Sequence, residues 1–202
     1  MTGIFGSVRL VLATRNVNKR REFEQLLGPG FIVQDVTTMR DIPEVVESGT
    51  TFAENATLKA IAVSKILLDQ LVIADDSGLE VKALHGAPGV FSARYAGEAA
   101  SDRDNVEKLL CELTKANARD RSARFCCIIA LARNGELLTT VQGEIAGVIT
   151  TSPRGGNGFG YDPIFVPDGF NETFGELTSE AKNKISHRAK ATAALVQYFE
   201  RL

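Results

Sequence analysis

Two adjacent carboxylates, Asp75 and Asp76, close the apolar run Leu71-Val72-Ile73-Ala74 and lead into Ser77-Gly78. Apolar residues with β-branched members read as a buried strand, and two acids at its end cannot both be buried without partners. Ligands of α/β proteins sit at strand ends. Acids placed there bind a divalent cation, act as a general base, or do both. Asp-Ser-Gly is equally good turn chemistry, so the same residues predict a turn. Glu47 is the third acid of the set, since Mg2+ takes one or two carboxylates together with substrate phosphates. Taken alone, Glu47 reads as a solvated loop acid.

Three other groups carry chemical potential. Thr14-Arg15-Asn16-Val17-Asn18-Lys19 lies between a strand and a helix, where N–H groups of the helix start face outward. With the Lys19 charge, this makes a workable phosphate cradle, although the glycines of a P-loop are missing. The plain alternative is that Asn16 or Asn18 caps the helix. Gly155-Gly156-Asn157-Gly158-Phe159-Gly160, followed by Tyr161-Asp162, allows close backbone approach to a flat or anionic ligand. Phe159 and Tyr161 offer rings to stack on a base, and a flexible hairpin exit is the plain alternative. Lys182 and Ser186-His187-Arg188 form the last group. On one continuous helix Lys182 and His187 would differ by about 140° and share no face. Ser186, however, is a natural N-cap. His187 and Arg188 then occupy a first turn, where the dipole disfavours cations unless something electron-rich binds. A solvated basic face competes with that reading.

The elements that must position these groups follow from periodicity. Val8–Ala13 reads as a strand, then a helix carries Phe23, Leu26 and Leu27 until Gly28-Pro29-Gly30 stops it. Phe31–Val36 reads as a second strand, followed by a loop with Pro43, Glu44, Glu47 and Gly49. Thr51-Phe52-Ala53-Glu54 has capping-box spacing, predicting a helix to about Leu68 with Phe52, Ala56, Ala60, Val63 and Leu67 inward. Lys59 falls mid-helix, facing solvent or turned toward Thr14–Lys19. Residues 79–101 are irregular, with a short strand at Leu79–Val81 and His85 in a loop. A helix over 102–115 carries Val106, Leu109, Leu110 and Leu113. Asn134-Gly135 joins strands Ala123–Arg133 and Glu136–Ile149 in a hairpin. A final helix presents Ala191, Leu195, Tyr198 and Leu202. The order predicts an α/β fold with an elongated mixed β-sheet flanked by helices, and two lobes with a central cleft.

Composition narrows the function classes. A chain of 202 residues can bury one substantial core, and its net charge of −2 implies no general nucleic-acid binding. No apolar stretch approaches a membrane span of roughly 18 residues, and the start has no signal-peptide pattern. The three cysteines, Cys111, Cys126 and Cys127, lack zinc or disulfide spacing and fit a reducing, cytoplasmic setting.

These segments together resemble the inosine triphosphate pyrophosphatase family. The matching residues are Ala13–Asn16 with Lys19, Glu47 and Gly49, Thr51–Ala56, Lys59-Ala60, Ala74–Leu79, Gly86–Tyr95, Gly158–Pro163 and Ser186-His187-Arg188. Their order over most of the chain makes the resemblance specific. It implies one domain over residues 1–202 that hydrolyses ITP, dITP and XTP to the monophosphate and pyrophosphate with Mg2+, as a homodimer. By resemblance, Thr14, Arg15, Asn16, Val17, Asn18, Lys19 and Lys59 hold the triphosphate. Glu47 and Asp76 bind the metal, Asp76 activates water, and Ser77 contacts substrate. Phe159, Gly160, Tyr161, Asp162, Lys182, His187 and Arg188 form the purine pocket. Asn18, His85 and Asn157 stand where glycine or another small residue is common. Strand alternation directs Asp75 and Asp76 to opposite faces, which leaves Asp75 a supporting part. A pyrophosphatase for modified pyrimidine or methylated nucleotides, and a non-catalytic nucleotide sensor, are the competing readings.

Overall fold

The apolar run Leu10-Val11-Leu12 is at most 2% exposed, as is Val72-Ile73-Ala74. Uninterrupted burial of this kind belongs to parallel strands covered on both faces. The computed structural model, which describes residues 7–39 and 42–201, forms parallel pairs from them. Strand β1 (Val8–Leu12) runs parallel to β2 (Phe31–Asp35), with Leu10 opposite Val33, and to β3 (Leu71–Val81), with Leu12 opposite Ile73. Strands β4 (Ser122–Arg133) and β5 (Glu136–Ile149) form the hairpin, and β6 (Phe165–Pro167) pairs antiparallel with β5. The hydrogen-bonded order is β2-β1-β3-β4-β5-β6, so the sheet is mixed as expected.

The helices are α1 (Val17–Leu27), α2 (Phe52–Ile66), α3 (Asp102–Lys115), α4 (Ser179–Ile185) and α5 (His187–Phe199). The chain divides into two compact units, Met1–Asp76 with Ile128–Gln142 and Lys190–Leu202, and Ser77–Cys127 with Gly143–Ala189. In the first unit Phe23 and Leu27 of α1, and Phe52, Ala56, Ala60 and Val63 of α2, are buried. In the second, Leu79, Val81, Val106, Leu109, Leu113, Phe125, Phe165 and Phe174 share one core. Gly147 of β5 is needed there, because a Cβ would stand 2.2 Å from the Val166 carbonyl oxygen.

Local signals account for most boundaries. The Thr51–Glu54 capping box is formed, and Ser101–Asp104 forms another that sequence reading passed over. Asn134 and Gly135 take φ of 53° and 79°, the left-handed pair a two-residue hairpin requires. His85 takes φ of 53° at the end of a short 3-10 turn, which explains why glycine also suits that position. Leu202 and the first six residues lie outside the described residues.

The main correction concerns β3. Asp75-Asp76-Ser77-Gly78 is no turn, and the strand does not end at Ala74. It continues to Val81, absorbing the short strand expected at Leu79–Val81, because Leu79 and Val81 take fully buried positions. Asp75 and Asp76 lie mid-strand at 1% and 5% exposure. Strand β6 was not anticipated; three residues ending in proline give too short a pattern. Helix α2 stops at Ile66, with Leu67 half-buried at its cap.

Candidate active site

The first unit gathers charged groups around β3 and α2. The Thr51 hydroxyl accepts the Glu54 N–H, and Glu54 Oε2 accepts from the N–H groups of Thr50 and Thr51. That start places Asn55 and Lys59 four residues apart, on one helix face. Lys59 Nζ lies 2.6 Å from Glu47 Oε1 and 3.7 Å from Asp76 Oδ1. The buried Asn55 amide donates to Asp76 Oδ2 at 3.1 Å. Lys19 Nζ lies 3.0 Å from Asp75 Oδ2. Adjacent strand residues thus meet different ammonium groups, as alternation requires. Lys59 is not the solvent-facing residue its mid-helix position suggested, since its side chain is 12% exposed.

Burial sets the electrostatics. It pushes the Asp76 carboxyl above its ordinary range, with Glu47 adding to the rise and Lys59, Lys19 and Asn55 opposing it. Burial alone would lower the Lys59 ammonium, but Asp75, Asp76 and Glu47 outweigh it and hold the group charged. Glu47 and Asp76 are therefore two hard oxygen donors already turned toward one cation. Among the described residues no three acids, histidines or cysteines form a metal cage.

At the start of α1 the capping reading prevails. Asn16 Oδ1 accepts from the N–H groups of Asn18 and Lys19 at 2.9 and 3.0 Å, and the Thr14 hydroxyl accepts from Asn16 N–H. Three N–H groups expected to face a ligand are thus engaged by side chains. The Arg15 guanidinium donates to the Ile42 carbonyl at 2.7 Å. Arg15, Asn16, Val17 and Asn18 are exposed, while Thr14 and Lys19 are half-buried.

The second unit brings together the residues expected to meet a purine. Ser186 interrupts the helix with extended backbone, and its hydroxyl accepts the Ala189 N–H, capping α5. The break removes the 140° conflict that one continuous helix would impose. Lys182, His187 and Arg188 are only 5%, 4% and 1% exposed, so they are no solvated basic face. Arg188 Nη2 donates to Ser77 Oγ at 2.8 Å. Lys182 Nζ lies 5.0 Å from the Phe159 ring centre and Arg188 Cζ 5.8 Å from it. His187 stacks on Phe125 at 4.7 Å and 9°.

Two of the expected base contacts are turned toward protein groups. Tyr161 is 4% exposed within the core, and its hydroxyl donates to the Ser92 carbonyl at 2.9 Å. Burial pushes that hydroxyl's pKa well up. Asp162 faces inward, accepting Lys182 Nζ at 2.6 Å and the Phe159 N–H at 2.9 Å. Gly160 N–H donates to Asp102. Of the two rings, Phe159 alone is partly open. Sequence reasoning overlooked Asn55 and Phe125. A polar residue one turn before Lys59 was a signal for the first; nothing in the sequence marks the second.

Paired acids and lysines thus gather in the first unit, and a ring flanked by two buried cations in the second. A model of the Ham1 family matches residues 10–198, and the chain belongs to that family. A dITP/XTP pyrophosphatase of Bacillus licheniformis is 49% identical over 187 residues, 92% of this chain and 95% of that protein. One from Bacillus subtilis is 47% identical, covering 94% and 96%. The solved HAM1 protein of Coxiella burnetii has a TM-score of 0.87 and 41% identity, covering 96% of this chain and all of that one. The Staphylococcus aureus Ham1 protein gives 0.85 and 42%, covering 95% and 98%. The family resemblance and the mixed α/β fold are both borne out.

Proposed function

We propose that this chain hydrolyses ITP, dITP and XTP to the monophosphate and pyrophosphate, with Glu47 and Asp76 holding Mg2+. The observation that carries the reading is Lys59 facing Glu47 and Asp76. It occurs in a chain matching a named dITP/XTP pyrophosphatase over 92% of its length. When bound, the ion would offset phosphate charge and acidify a water molecule. Asp76 takes the proton of the water that attacks the α-phosphorus in line. Lys59 and Lys19 oppose charge on the phosphates as pyrophosphate departs.

Lys182, His187 and Arg188 supply donors for a purine 6-oxo group, and Phe159 supplies a ring face. A 6-amino group would set donor against donor, leaving a buried group unpaired at a cost of about 1–3 kcal/mol. Asp162 keeps Lys182 in place and does not itself touch the base. We read residues 1–202 as one pyrophosphatase domain, a cytoplasmic homodimer without a nucleic-acid partner. Free cysteines support the reducing setting, and no described helix is long and apolar enough to cross a membrane. Sedimentation tests the dimer.

The deciding experiment compares wild type with Asp76→Asn in ITP binding and in Mg2+-dependent pyrophosphate release. Binding should stay within a few-fold while hydrolysis falls about 100-fold or more. Wild-type turnover in the variant removes Asp76 from the base role. No pyrophosphate release by wild type at alkaline pH would make the protein a nucleotide binder instead.

A further inference from the structure

Asn55 is fully buried on α2, yet it has no partner within its own helix to explain a polar side chain there. Its Oδ1 accepts the Gly49 N–H at 2.8 Å, and its Nδ2 donates to Asp76 Oδ2 at 3.1 Å. The orientation of the amide is determined, because a backbone N–H can only donate and must face the carbonyl oxygen. Gly49 stands two residues after Glu47. Its N–H and those of Thr50 and Thr51 are all received by side chains of the first turn of α2. No larger residue fits at Gly49, where a Cβ would lie 2.6 Å from Glu54 Cβ and 2.7 Å from Asn55 Oδ1. One amide therefore ties the loop carrying Glu47 to the carboxylate of Asp76, one turn before the lysine that faces both acids.

We propose that Asn55 is a positioning residue that sets the placement of Glu47 relative to Asp76 for the metal and the attacking water. It acts through those acids and does not itself touch substrate. The inference rests on the assignment of Glu47 and Asp76 as metal-binding groups. An amide buried between two segments with its oxygen bonded to one and its nitrogen to the other holds both more firmly than an apolar contact would, because displacing either leaves a buried polar group unpaired.

The test measures Mn2+ binding to the nucleotide-free protein by electron paramagnetic resonance, together with ITP kinetics, in wild type, Glu47→Gln, Asp76→Asn, Asn55→Ala and Gly49→Ala. Asn55→Ala and Gly49→Ala should each weaken Mn2+ at least five-fold at unchanged stoichiometry. They should lower kcat at least ten-fold with KM within three-fold. A merely structural role would lower stoichiometry with the folded fraction and leave affinity and KM alone; that result overturns the proposal. If Asn55→Ala does not fold, the isosteric Asn55→Asp keeps the Gly49 bond and loses the donor to Asp76. Wild-type kcat in that variant also overturns it, and a ten-fold loss supports it. Wild-type Mn2+ affinity in Glu47→Gln and Asp76→Asn would instead refute the underlying site. Loss in those two with wild-type behaviour in Asn55→Ala refutes Asn55 alone.

Discussion

Gly158→Ala should be among the more damaging single-methyl additions in the second unit. Gly158 has φ of +75°, and a Cβ there would stand 1.9 Å from Asp162 Oδ2 and 2.8 Å from its Cγ. An L-residue in the left-handed region costs about 1–2 kcal/mol. The larger part comes from moving a carboxylate that accepts Lys182 Nζ at 2.6 Å and the Phe159 N–H at 2.9 Å. Hydrogen bonds to charged groups contribute about 1.5–3 kcal/mol each. Weakening both brings the total to roughly 3–5 kcal/mol. Asp162→Ala alone should cost about 3–5 kcal/mol, since it leaves the Lys182 ammonium buried without its carboxylate. In that background the overlap is gone, and Gly158→Ala should cost only the backbone part, about 1–2 kcal/mol. A double-mutant cycle in urea should therefore show a coupling of about 2 kcal/mol or more. Equal costs of Gly158→Ala in both backgrounds, within about 0.5 kcal/mol, would refute the account of Asp162 as the loop's anchor.

Other outcomes follow from the first unit. Lys59→Met should lower stability by about 3 kcal/mol, because it removes the ammonium between two acids and leaves them facing each other. ITP hydrolysis should fall with it, and a midpoint of denaturation equal to wild type would contradict the cluster's geometry. Asp35 supplies a pH dependence. Burial would raise its carboxyl, but hydrogen bonds from Thr37 and Arg20 outweigh it and hold the pKa below the ordinary value. A depressed carboxyl contributes stability above about pH 4, lost as pH falls through the folded-state pKa. Asp35→Asn should thus cost about 1 kcal/mol at neutral pH, modest because Arg20 is 33% exposed. The gap from wild type should narrow on acidification, and a gap constant from pH 7 to pH 3 would count against the assignment.

Much of the molecule was legible before folding was considered. The Thr51–Glu54 box, the Asn134-Gly135 turn and the Ser186 cap are local devices, satisfied by neighbours a few residues away, so sequence patterns report them directly. Continuous apolar runs such as Phe125–Ala132 gave their strand for the same reason. Reading failed where a distant partner decided the outcome. Asp75-Asp76-Ser77-Gly78 has turn-forming residues, yet it stays in a strand because Lys19 and Lys59, on other elements, offset two buried carboxylates. Nothing near Tyr161 in the chain announces that its hydroxyl donates to the carbonyl of Ser92, 69 residues earlier.

By itself, the sequence determined the family and the order of most elements, since residue type and local spacing are properties of the chain. Tertiary structure alone decided which charge meets which. It sent Asp75 to Lys19 and Asp76 to Lys59 and Asn55, and it turned Asp162 inward onto Lys182. The physical reason is that a buried charge is stable only beside its partner, and that partner is chosen by packing between segments far apart in the chain.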